Sequence, residues 1–180
     1  MTVEIRRLES DELRRVVEID RTERIDTIYV QRGTELEPVA GDFSAPPWRA
    51  DGEGEHSLAH QVEECARYSA HGGICLGAFA GERLVGIGIV VPHVRAGVAQ
   101  LAYLHVSDGF RGRGVGVRLA AGLERLACDA GDRTMVVSAT PSANTVGFYL
   151  RRGFAPTATP LPELLELEPD DVHMEKRLGS

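Results

Sequence analysis

Residues 104–119 read LHVSDGFRGRGVGVRL, and no other stretch restricts the possible folds of this chain so tightly. Up to Val106 the residues suit a strand. From Val115 apolar residues recur at helical spacing, at Val115, Leu119, Leu123 and Leu126. Between the two lie Gly109, Gly112, Gly114 and Gly116, with Arg111 and Arg113 interleaved. The first N–H groups of a helix lack an intrahelical partner and carry the positive end of its dipole. Glycines let a backbone come close to a phosphate, and arginines add bidentate donors. Strand, glycine turn and helix together read as a cradle for a pyrophosphate. Two familiar versions are excluded. A dinucleotide turn needs G-x-G-x-x-G, but the sixth position from Gly112 is Val117 and from Gly114 is Leu119. A P-loop needs Gly-Lys before Ser or Thr, and the only lysine is Lys176.

The remaining elements fit a single mixed α/β domain over residues 1–180. Residues 2–8 suggest a strand, and Ser10 a helix cap with Asp11 and Glu12 in the first turn. Residues 25–40 suggest two short strands around Gly33, or irregular chain. Residues 41–54 read as a loop with Pro46, Pro47 and Trp48, and residues 56–71 as an amphipathic helix stopped by Gly72 and Gly73. Strands follow at 74–80 and 84–91 around a Gly81-Glu82 turn, and a third at 98–106. After the helix at 115–130 come a strand at 134–139, a short helix at 141–152, and closing strands at 154–158 and 172–178 joined by an acidic, proline-containing loop.

Composition narrows the partners. In 180 residues, 43% hydrophobic and 26% charged residues suffice for one core. Twenty basic against 27 acidic residues leave a net charge of −7, which argues against nucleic-acid or anionic-membrane binding and favours a cationic substrate. Cys65, Cys75 and Cys128 have neither CxxC nor metal-like spacing, so no metal is expected and the thiols read as free. No run of ~18 apolar residues and no apolar signal core is present, so a cytoplasmic protein is expected.

Arg111-Gly-Arg-Gly114-Val-Gly116 fits R/Q-x-x-G-x-G/A, the coenzyme A signature of the GNAT superfamily of N-acetyltransferases, which this chain resembles. A second stretch, SANTVGFYLRRGF at 142–154, places Asn144, Tyr149 and Gly153-Phe154 in the order and spacing common in that family. The resemblance covers residues 74–154 well and the first 70 in outline. It implies a GNAT-like fold: a central, mostly antiparallel sheet of six or seven strands flanked by about four helices. Residues 1–73 would form the variable acceptor side, 74–158 the acetyl-CoA-binding core and 159–180 the closing strand.

Acetyl-CoA is then the co-substrate. The resemblance implies that the backbone of Leu104, His105 and Val106 pairs with the pantetheine arm. Amides of Arg111, Gly112, Arg113, Gly114, Val115 and Gly116 would hold the pyrophosphate. The side chains of Arg111 and Arg113 either reach phosphates or are solvated charges. Asn144 would hydrogen-bond the cofactor arm, cap its helix, or both. Tyr149 would contact the cofactor and donate to the sulfur as it leaves, since a phenol of pKa ~10 stays protonated beside a thiol of ~8.5; otherwise it is a core tyrosine beside Phe148 and Leu150.

The chain departs from the family at the base. Strand 98–106 carries no Asp or Glu where many members place a glutamate. Of Gln100, Tyr103 and His105, His105 has the most suitable pKa, ~6.5 unperturbed; a structural histidine, a water relay or a carboxylate from the N-terminal half stay open. Asp108 stands where proline is frequent. Cys75 and Cys128 would have no covalent role. Tyr29 and Trp48, with Phe43, are the candidate acceptor walls, Trp48 being alternatively a loop anchor. Asp20, Glu23, Asp26, Glu35 and Asp42 either attract an ammonium or form a solvated face. The expected function is acetyl transfer from acetyl-CoA to a primary amine of a small molecule, by direct attack in a ternary complex. The alternatives are a non-catalytic acyl-CoA-binding regulator, acetylation of a protein amine, or a partner-binding domain without coenzyme A affinity. The family also suggests a homodimer.

Overall fold

The computed structural model describes residues 2–179. Strand β1 (Val3–Arg7) is followed by a 3-10 helix at Ser10–Glu18. Strands β2 (Glu23–Arg32) and β3 (Glu35–Ala45) form a separate hairpin, and helix α1 (Leu58–Ala70) follows. Next come β4 (Ile74–Ala80), β5 (Arg83–Arg95), β6 (Val98–Val106) and α2 (Val115–Ala130). The chain closes with β7 (Thr134–Ala139), α3 (Ala143–Arg151), β8 (Ala155–Pro156), α4 (Pro162–Leu167) and β9 (Val172–Arg177). Seven strands make one sheet in the order β1-β4-β5-β6-β7-β9-β8, antiparallel except at the β6–β7 pair. This is the mixed, mostly antiparallel sheet that the resemblance implied.

The long apolar runs of β4 and β5 are explained by cover on both faces. Leu76, Ala78 and Val85 meet Leu119 and Leu123 of α2, while Cys75, Phe79 and Ile87 meet Leu13, Val16 and Cys65 on the other side. Each fully buried leucine among these contributes ~1.5–3 kcal/mol. Gly88 lets α2 approach the sheet, because a Cβ there would lie 2.8 Å from Leu123 Cδ1. Glu124 of α2 joins three elements. It accepts from Arg152 Nη2 at 2.7 Å and from Lys176 Nζ of β9 at 2.8 Å, and all three side chains are largely shielded. Near the end of β5, where its pairing with β6 shifts register, His93 has φ +57°, an uncommon conformation for a residue with a Cβ. The fully buried Asp132 fixes it, accepting from the His93 N–H at 3.0 Å and facing its Nδ1 at 2.9 Å.

Several local expectations are corrected. Glu9, not Ser10, precedes the first helix; the Glu9 N–H donates to the Glu12 carboxylate at 3.0 Å, and the helix is 3-10 with Val17 exposed. Residues 25–40 belong to strands longer than expected, and β3 reaches Ala45, so the following loop is shorter. The strand at 154–158 shrinks to Ala155–Pro156, and the acidic loop contains α4.

The feature that shapes the site is a break in β6. Ile89 pairs with Tyr103 and Val90 with Leu101, which leaves Ala102 as an extra residue. Such a bulge bends its strand. Pairing with β7 covers only Val98, Ala99 and Gln100. From Leu101 to Val106, β6 is bonded to β5 on one edge and open on the other, so β6 and β7 diverge.

Candidate active site

The open edge of β6 runs into the glycine turn. Ser107 N–H donates to Val85 O at 2.9 Å, whereas Val106 O faces away from β5 and accepts from Arg111 Nε at 2.9 Å. With a two-residue period, Leu104 turns its N–H and C=O to the same open side as Val106. A strand-like ligand can pair there. Phe110 N–H closes the turn onto Ser107 O at 3.0 Å. Among the described residues the N–H groups of residues 111–114 have no acceptor, and those of 115–117 form the partnerless first turn of α2. Gly112 and Gly114 have φ of +71° and +78°, and nothing lies within 4 Å of where their Cβ would stand. This left-handed backbone favours glycine, and it leaves a row of donors facing open space at a helix N-terminus.

The two arginines of the turn differ. Arg111 is committed to backbone carbonyls: besides Val106 O, it donates through Nη1 to Thr22 O at 2.7 Å. With the Asp108 N–H to Asp20 O bond (2.8 Å) and the Asp20 N–H to Ser107 Oγ bond (3.0 Å), it fastens the turn to the segment leading into β2. Its side chain serves as a clasp at the surface of the turn. Arg113 is exposed, with its guanidinium 5.8 Å from the centre of the Phe110 ring, and remains able to reach an anion.

Strand β2 spans the mouth between β6 and β7. After the clasp at residues 20–22 it meets the start of α3, where Tyr29 N–H donates to Pro141 O at 2.8 Å. It ends against β9, where the Gln31 side chain accepts from His173 N–H at 2.8 Å and donates to Thr157 O at 3.0 Å. Tyr29 therefore sits at this strap, partly buried against the core. The cap of α3 is Ser142, whose hydroxyl accepts from Thr145 N–H at 3.2 Å. Asn144 is not the cap. Its amide donates to the Glu23 carboxylate of β2 at 2.7 Å.

Tyr149 projects from α3 into the core between Phe148 and Phe154, in edge-on contacts of 5.2 and 5.3 Å, and is only 4% exposed. Burial, reinforced by the charge of Asp171, pushes its phenol above the ordinary value, so it stays protonated. On the opposite face of β6 stand Tyr103 and His105, 4.7 Å apart, with Trp48 5.1 Å from His105. Trp48 is buried and lies behind His105, with Arg21 over its ring, so it anchors its loop. Tyr103 Oη donates to Gln61 Oε1 of α1 at 2.6 Å. Burial lowers the His105 pKa to about 4, and Arg21 and Arg111 add to the effect. The ring is neutral at pH 7 and takes up a proton poorly, which weighs against its use as a base. Burial raises Cys65 to about 12 and Cys75 to about 11, so both are thiols, not nucleophiles, at neutral pH.

Sequence reasoning overlooked the segment before β9. Val172 pairs with Ala139, the last residue of β7, so Asp171 stands at the top of the divergence. Asp171 N–H donates to Glu168 O at 3.2 Å. The only cue was the acidic run EPDD at 168–171, which looks like any solvated loop. Among the described residues no cluster of metal-ligating side chains occurs, and no helix is long and apolar enough to cross a membrane.

Residues 41–154 match the model of the acetyltransferase (GNAT) family. None of the curated proteins matches the chain. Among solved structures, nourseothricin acetyltransferase superposes with a TM-score of 0.72 at 16% identity, covering 99% of this chain and 100% of that one. PaiA N-acetyltransferase of Thermoplasma acidophilum, in complex with coenzyme A, superposes with a TM-score of 0.63 at 20% identity, covering 98% and 99%. The ribosomal-protein-S18-alanine N-acetyltransferase of Escherichia coli gives 0.64 at 15% identity, covering 99% and 96%.

Proposed function

The chain belongs to the GNAT acetyltransferase family, and from that premise we propose that it moves the acetyl group of acetyl-CoA to a primary amine of a small molecule, both substrates being bound together. The observation that carries the reading is the continuity of two free backbone surfaces. The open edge of β6 at residues 101–106 suits the amide-bearing pantetheine arm, and the unpaired amides from residue 111 onward suit the diphosphate. The Leu104 N–H, on the open edge beyond the bulge, stabilises the oxyanion in this reading as the amine attacks the thioester. Tyr149, buried and protonated, donates to the sulfur as it departs. Asn144, at the first turn of α3, borders the path of the cofactor arm, with Glu23 holding its amide. Neutral His105 and Tyr103 wall the acceptor side, backed by Trp48.

A small acceptor is favoured over a protein tail by the β2 strap, which is fastened on both sides of the opening, at Thr22 and at Tyr29. Nourseothricin acetyltransferase, similar over its whole length, is named for a small-molecule substrate. The test is calorimetry with coenzyme A, followed by a thiol-release assay with acetyl-CoA and a panel of amines including streptothricin, kanamycin, spermidine and an Ala-initiated peptide. Coenzyme A binding with turnover of a small amine is expected. Binding without turnover would indicate a regulator, turnover of the peptide alone a protein acetyltransferase, and no binding would overturn the reading.

A further inference from the structure

An amine acetyltransferase must take a proton from an ammonium, and neither β6, which lacks a carboxylate, nor the poorly basic His105 supplies the acceptor. Resting on the proposed acetylation of an amine, we infer that Asp171 is the general base, a catalytic residue set across the opening from Tyr149. Four observations on placement carry this. Asp171 directly precedes Val172, which pairs with the end of β7, so it sits at the rim where β6 and β7 part. Val172 and Met174 turn inward to the cluster that holds Tyr149, while His173, the intervening residue, bonds the β2 strap. Tyr149 is buried, and Asp171 is the one charged group whose field reaches its phenol. The turn from Glu168 O to Asp171 N–H fixes the segment against β9.

The surroundings suit the task. Burial, then the like charges of Glu168 and Asp170, lift the Asp171 carboxyl to about 7. Glu168 is itself raised by burial and held by Ser138 of β7; α1 presents Glu64 and Arg67 to it. The groups acting on Asp171 are thus anionic, and a cationic amine entering there is attracted before it is deprotonated.

The proton count closes. The Asp171 carboxylate takes one proton from the ammonium, and the free amine forms its bond to the acetyl carbon. The carbon–sulfur bond then breaks, Tyr149 gives its hydroxyl proton to the sulfur, and the phenolate takes the surplus proton from the new amide nitrogen. Coenzyme A leaves as the thiol, and Asp171 later loses its proton to water.

The experiment compares wild type, Asp171→Asn and Asp171→Glu with acetyl-CoA and the best amine of the panel above, from pH 5.5 to 9. Wild-type kcat should rise to a plateau through a pKa near 7. Asp171→Asn should lose that limb and 10²–10³-fold in kcat, with coenzyme A affinity within threefold of wild type. Asp171→Glu should recover part of the rate with a displaced limb. An unchanged profile in Asp171→Asn, or a loss confined to KM, would overturn the assignment while leaving amine acetylation in place. Absence of wild-type turnover on every amine would overturn both.

Discussion

Gly114→Glu puts the diphosphate cradle to a quantitative test. Gly114 caps α2 with φ +78° and has open space where a Cβ would stand, so a side chain there meets no atom but must adopt a left-handed backbone. That conformation costs ~1–2 kcal/mol, and in a chain of this size each kcal/mol lowers Tm by ~2–4 °C. The glutamate adds a negative charge among the amides that would hold the anion. Two unit charges ~4 Å apart repel by ~4 kcal/mol at an effective dielectric of 20. Salt and side-chain escape reduce this, and a loss of at least ~100-fold in coenzyme A affinity, ~2.8 kcal/mol, is expected. Gly131→Ala is the matched control. It ends the same helix with φ +98° and equally open space, so it carries the strain without touching the turn. Calorimetry and thermal melts of both variants separate the effects. Coenzyme A affinity within threefold of wild type for Gly114→Glu, or an equal loss for Gly131→Ala, would refute the reasoning.

Tyr149→Phe should reduce kcat by ~10²-fold or more, with coenzyme A affinity within threefold, because only the departing sulfur needs the hydroxyl; equal rates in the thiol-release assay would remove it from the mechanism. Asp132→Ala should destabilise by ~1–3 kcal/mol, since it frees the left-handed His93 and abandons a buried hydrogen bond, yet leave coenzyme A binding intact; a chemical denaturation series measures it. Asp171 also governs stability against pH. Its folded pKa of about 7 lies above the unfolded value of ~3.9, so the folded state keeps a proton that the unfolded chain has shed. Its contribution to stability therefore falls as pH rises from ~4 to ~7 and is level above. Asp171→Asn should be stabilised relative to wild type at pH 8 and not at pH 4, as melts at the two pH values would show.

The glycine turn was legible because its information is local. Spacing alone distinguishes it from the two commoner phosphate turns, and the elements beside it follow from apolar periodicity. The bulge at Ala102 was legible in principle. Ala99 and Leu101 face the α2 side, but beyond Ala102 it is Leu104 and Val106 that do, a one-residue slip in phase that marks an inserted residue. What stayed hidden is long-range. Arg111 is drawn onto the carbonyl of Thr22, some 90 residues earlier, and nothing in an arginine beside a glycine announces that partner. Asn144 looked like a cap, but Ser142 begins the helix two residues sooner and Glu23 takes the amide. Strand β3 is exposed nearly throughout, so no alternation betrays its length. Asp171 acquires its character only from where the fold sets β9 against β7.

Lys176, joined to Glu124 within the Arg152 network, has a consequence for a protein that handles thioesters. Acetyl-CoA acylates accessible amines without help, and an enzyme that holds it invites damage to its own lysines. Here arginine, inert to that chemistry, supplies every other basic side chain, and the single lysine ammonium is engaged at 2.8 Å and screened from solvent. The molecule thereby offers its reagent no freely exposed lysine, and acetylation found on Lys176 would report that β9 had come away from α2.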